Sequence, residues 1–140
     1  MSISSSASSP QIEVSALSRL INLPVQPLAV KWQVSNVIPK HSTELGPNDW
    51  GVVALLELKK EDIEKLTANT SSTPASLPAY LVQAWLVNIV QSKFTLDPTG
   101  KFYTPQVAIL DAEQFQKSPL LSGAAFVISE HEILVYLQTQ

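Results

Sequence analysis

The sequence predicts an α+β fold: a single domain built on an antiparallel-dominated β-sheet, with a main helix at about 78–91 and short helices packed on it. Three observations point there. Leu28, Val30, Trp32 and Val34 alternate with Ala29, Lys31, Gln33 and Ser35, the period-2 pattern of a strand buried on one face. Two later stretches, around Asp97-Pro98-Thr99-Gly100 and around Glu130-His131, join apolar runs through turn-forming residues, as hairpins do. Between these regions, Leu81, Val82, Trp85, Leu86, Ile89 and Val90 fall on one side when residues are placed about 100° apart, and Gln83, Asn88 and Gln91 fall opposite.

Taken in order, residues 1–9 read as a disordered leader. The start, MSISSSASSPQ, carries no lysine, arginine or apolar run and so lacks the parts of a secretory signal. The domain then covers 10–140. Ser9-Pro10 has the form of an N-cap followed by a first-turn proline, and Ile12, Leu17, Leu20 and Ile21 recur at helical spacing up to Pro24. Residues 38–49, IPKHSTELGPND, combine the residue types that satisfy their own backbone in loops. The run from Trp50 to Leu58 is apolar on both faces apart from Gly51 and Glu57, as an interior strand requires.

Lys59–Ala68 predicts a short amphipathic helix with acidic residues in its early turns and Ile63 and Leu66 three apart. A Ser, Thr and Pro-rich loop follows. Within 78–91 the β-branched residues Val82, Val87, Ile89 and Val90 favour a strand, but the one-sided apolar pattern decides for helix. Asp97-Pro98-Thr99-Gly100 matches a type I turn closed by a left-handed glycine, pairing Lys93–Leu96 with Lys101–Thr104 and setting Leu96 opposite Phe102. A short strand at 107–110 leads into a helical turn at 111–116. The chain's last stretch reads as two strands that meet at Glu130-His131, with Phe126 opposite Val135 and Ile128 opposite Ile133.

Composition narrows the functions. The 140 residues are 45% apolar but only 15% charged, well below the quarter common in soluble domains, so little charge coats the surface. The net charge is −3, Arg19 is the only arginine, and Lys59-Lys60 is the only lysine pair, which argues against nucleic-acid and anionic-membrane partners. No run is long enough to span a bilayer. There is no cysteine, which removes thiolate chemistry and cysteine metal sites and fits a reducing, cytoplasmic setting. With 4 glycines and no GxSxG, P-loop or GxGxxG, motif-based enzymology finds nothing, and neither a cofactor nor a metal is expected.

The best candidate site is one loop. His41, Glu44, Asn48 and Asp49, followed by Trp50, bring titratable and hydrogen-bonding groups together on a segment held by the scaffold, a pattern suited to partner binding. The plain alternative is that Asn48 and Asp49 close a turn and Trp50 starts a core strand. Glu130-His131-Glu132 reads as a solvated turn, since side chains on adjacent strand residues diverge and chelate poorly. Trp32 and Trp85 fit buried faces.

The expected function is a non-enzymatic protein-interaction or assembly domain. Low surface charge and strands apolar on two faces imply a homodimer that covers the second face, with the C-terminal hairpin at its interface. The alternative is a small-ligand-binding domain with a pocket between helix 78–91 and the sheet.

Overall fold

The computed structural model describes residues 11–36, 50–68, 75–118, 120 and 122–139. They form antiparallel sheets with a few short helices, a small α+β domain that is mostly sheet. The five-stranded sheet has the order β1 (Ala29–Asn36), β2 (Trp50–Glu57), β8 (Glu132–Gln138), β7 (Ser122–Val127) and β6 (Ile109–Leu110). A three-stranded sheet has the order β3 (Leu77–Pro78), β5 (Phe102–Pro105) and β4 (Phe94–Leu96). The helices are α1 (Val14–Leu17), α2 (Lys60–Thr67) and α3 (Val87–Lys93), and Ala79–Leu81 and Ala112–Phe115 are 3-10 turns. Among the described residues no helix is long and apolar enough to cross a membrane.

The alternation of β2, β7 and β8 sends apolar side chains to both faces of the larger sheet, and the chain covers both faces itself. On one face Val52, Ala54, Leu56, Ile133, Val135 and Leu137 pack with residues of α1, α2 and the 112–115 turn, including Leu17, Ile63 and Phe115. On the other, Val53, Leu55, Phe126, Leu134 and Tyr136 pack with Leu77, Leu81, Leu86, Val90 and Phe94. Phe126 is the hub of that second cluster: Phe94 meets it edge-on at 5.0 Å and Tyr136 stacks on it at 6.4 Å. Burial pushes the pKa of the Tyr136 phenol above its ordinary value, because the charged phenolate loses its water.

Close approach of β7 and β8 depends on Gly123. It pairs with Leu137, and a Cβ there would fall on the Tyr136 carbonyl oxygen and the Leu137 Cα.

Several elements agree with the sequence reading. Trp50–Glu57 is an interior strand between β1 and β8. α2 occupies the expected stretch with Ile63 and Leu66 buried, and the Asp111 carboxylate caps the 112–115 turn by accepting from the Glu113 amide at 3.0 Å. Others are corrected. The main helix at 78–91 does not form as one helix. Leu77-Pro78 is drawn into pairing with Tyr103 and Phe102, the Ala79 amide bonds the Lys101 carbonyl at 2.8 Å, and Val82 is extended at φ −82°, ψ 103°. Only Val87–Lys93 is α-helical. The apolar residues nevertheless keep their side: Leu81, Leu86 and Val90 are buried, and Val82, Trp85 and Ile89 pack against the same cluster.

Both hairpins are shifted by one residue. The C-terminal turn holds Ser129, Glu130 and His131, with the Ile128 amide on the Glu132 carbonyl, so Phe126 pairs with Leu134 and Val127 with Ile133. That one-residue shift exchanges which residues share a face, and places Phe126 with Leu134 rather than Val135. At the other hairpin Gly100 has the expected positive φ of 76°, but Leu96 pairs with Tyr103. The Asp97 carboxylate accepts from the Thr99 hydroxyl at 2.8 Å and from the Lys101 amide at 3.2 Å, which draws Lys101 into the turn. The first helix is also shorter than expected and starts after Glu13, because Gln11 is engaged by β1.

Candidate functional site

In an antiparallel ladder, successive residues turn their main-chain groups to opposite sides of the strand. Trp32 fixes the direction in β1: its amide donates to the Gln11 carbonyl at 2.9 Å and its carbonyl accepts from the Gln11 amide at 2.7 Å, both away from β2. The main-chain groups of Val30, Val34 and Asn36 therefore point to the same outer margin. The Trp32 indole is fixed there as well, its Nε1 donating to the Glu13 carbonyl at 3.1 Å.

This margin also carries apolar side chains that water reaches. The alternating pattern expected Leu28, Val30, Trp32 and Val34 to be buried together, yet only the middle pair is. Leu28 is 55% exposed and Val34 41%, whereas Val30 and Trp32 are 3% and 7% exposed. Val30 and Trp32 share one core cluster with Leu17 and Ile21, and Leu28 and Val34 do not join it. Ile12, next to the bridging Gln11, is 73% exposed. A second exposed apolar pair, Leu96 and Phe102, flanks the Asp97 turn on the smaller sheet.

Concave places lie elsewhere among the described residues. A cleft of about 590 Å³ is walled by residues 14–26, with Ser15, Ser18, Asn22 and Gln26 among apolar neighbours and no charged group. A smaller hollow of about 100 Å³ is lined by Lys31, Glu57 and Glu132. Glu57 and Glu132 stand directly opposite across β2 and β8, an arrangement that costs stability unless a cation is near. Ser129 Oγ donates to Glu132 Oε1 at 3.4 Å. Among the described residues no group of three histidine, aspartate or glutamate side chains is placed to hold a metal. The space between residues 77–93 and the sheet is filled by Leu81, Leu86 and Val90, each fully buried.

Of the sequence-predicted site residues, His41, Glu44, Asn48 and Asp49 lie outside the described residues. Trp50 opens β2 and pairs through its main chain with Asn36 at the end of β1. Comparison of the chain with protein-family models, with curated proteins and with solved structures gives no significant match. No relative therefore lends a function to these places.

The sequence reading missed Leu28 and Val34 as exposed residues, and the Glu57–Glu132 pair as a pair. The signal for the first was positional: a strand longer than the helix packed over it leaves its ends bare. The second follows from the order of strands, which nothing local encodes.

Proposed function

We propose that this chain is a non-enzymatic protein-interaction or assembly domain that works as a homodimer, with the outer margin of β1 as its contact surface. The supporting observation is where the uncovered apolar surface lies. Both faces of the five-stranded sheet are covered within one chain, so the need to cover a second face no longer argues for a partner. Leu28, Val34 and Ile12 remain exposed along β1, beside main-chain groups that point outward. An open strand edge is a ready template for pairing with another chain. The C-terminal hairpin offers less, because β8 is the central strand and only the turn at its end is exposed. A cytoplasmic setting belongs to the same proposal.

Sedimentation equilibrium at high micromolar concentration tests it. The wild type should sediment at twice the chain mass, and a Leu28→Lys, Val34→Lys double variant should sediment as a monomer with an unchanged circular dichroism spectrum, since lysine on an edge opposes pairing. A monomeric wild type contradicts the proposal.

A further inference from the structure

We infer that the cleft walled by residues 14–26 is a binding site for a small, uncharged aliphatic amide. Its volume of about 590 Å³ is that of a ligand site, and its floor reaches the core, since Ile21 is only 1% exposed and Val25 packs against the same apolar cluster. Part of the wall is the run 23–26, which belongs to no helix or strand.

The main chain of that run points to the ligand. Among the described residues, the amide and carbonyl groups of Leu23, Val25 and Gln26 make no hydrogen bond, although the Leu23 and Val25 side chains between them are half-buried. Main-chain groups that the fold leaves unpaired are open to a partner, and a wall carrying both donors and acceptors is met best by a group that also does both, as a carboxamide does. Side chains of the same cleft add acceptors. Asn22 Nδ2 donates to the Gln114 carbonyl at 2.6 Å, which leaves Oδ1 to accept, and the Ser18 hydroxyl donates to the Ser15 carbonyl at 2.8 Å, which leaves its lone pairs. The wall is held from outside as well, by the Asn22 amide on the Phe115 carbonyl at 2.9 Å and by Lys117 Nζ on the Ser18 carbonyl at 3.0 Å. A wall fixed in this way loses little freedom when a ligand arrives.

Charge and shape set the ligand class. Glu13, Arg19 and Lys117 lie nearby in the chain or in space, but among the described residues no ionised side chain lines the cleft. A carboxylate or ammonium entering it loses water without meeting a counter-charge, so a neutral molecule is favoured. No aromatic ring lines it either, and an aliphatic body is what Ile21 and Val25 can cover. The site is independent of the dimer proposed above, since Leu28, Val34 and Ile12 do not line it.

NMR titration of the full chain with a matched series of small probes tests the site. Hexanamide should shift the Leu23, Val25 and Gln26 amide signals in a saturable way. Hexanoate and hexylammonium should bind at least about tenfold more weakly, for want of a counter-charge. Methyl hexanoate, which has no N–H to donate, should bind about fivefold more weakly, the loss expected for one net hydrogen bond. Ser15→Phe, which fills the cleft from an exposed position, should abolish the hexanamide shifts, and Ser15→Ala should keep them. The absence of a saturable shift with hexanamide, equal binding of hexanoate or hexylammonium, or shifts that persist unchanged in Ser15→Phe overturns the inference.

Discussion

β8 and β1 are strands of nearly equal length in one sheet, yet they leave opposite amounts for a partner to use. β8 lies between β2 and β7 and buries Ile133, Leu134, Val135, Tyr136 and Leu137 in unbroken succession on two faces. β1 lies at the margin among the described strands and buries Val30 and Trp32, whereas Val34 within it and Leu28 just before it are open to water. An apolar run of either kind predicts burial; only the place in the strand order says whether the chain itself provides it. For this molecule, apolar character on two faces marks the interior, and a simple alternation marks the edge strand.

Substitutions should follow that difference. The largest effect is expected at the centre: Phe126→Ala removes the ring that Phe94 and Tyr136 both contact and should cost about 3–5 kcal/mol in urea unfolding. A loss under about 1 kcal/mol would mean that this cluster is not the core. Trp85→Ala should cost less, roughly 1–3 kcal/mol, because the ring is only half-buried. Part of that cost is the bond from its Nε1 to the Gln33 Oε1 at 2.8 Å, so Trp85→Phe should recover packing but not that bond. Equal losses for Phe126→Ala and Trp85→Ala would erase the distinction between centre and margin.

At the margin, Leu28→Lys should change monomer stability within about 0.5 kcal/mol, since surface replacements away from structural features rarely do more. A loss as large as that of Trp85→Ala would show Leu28 to be structural. The smallest effect is confined to acid. Asp97 is held below its ordinary value of 3.8, first by the Thr99 hydroxyl and then by the Phe102, Lys101 and Gly100 amides, against an opposing push from burial. A lowered carboxyl value stabilises the fold above the ordinary value, and that contribution disappears as pH falls through the folded value. The gap in melting temperature between wild type and Asp97→Ala should therefore be constant near neutrality and narrow below pH 3.8. A gap that stays the same down to pH 2 contradicts a charged role for Asp97.

How much of this was legible in the sequence depended on whether the signal was local. Alternation in 28–35 and the two-faced run at 50–58 located β1 and β2, and the pattern at 81–90 named the residues that pack on the sheet. It failed on their backbone, because burial of Leu81, Leu86 and Val90 is compatible with a 3-10 turn, an extended Val82 and a short helix as well as with one long helix. Hairpin registers slipped by one residue because loop length depends on hydrogen bonds such as those to the Asp97 carboxylate, which turn propensities do not count. The order of the strands, and with it the exposed margin of β1, was beyond any local pattern. Of the loop site proposed from sequence, only the main chain of Trp50 enters the described structure.

The contrast between margin and interior is tested most directly by amide exchange measured at low and at high protein concentration. If the margin of β1 is the contact surface, the Val30 amide, which points outward, should exchange more slowly as concentration rises. The amides of the turn at Ser129, Glu130 and His131 should be indifferent. Concentration-dependent protection at that turn, with none at Val30, would contradict the account.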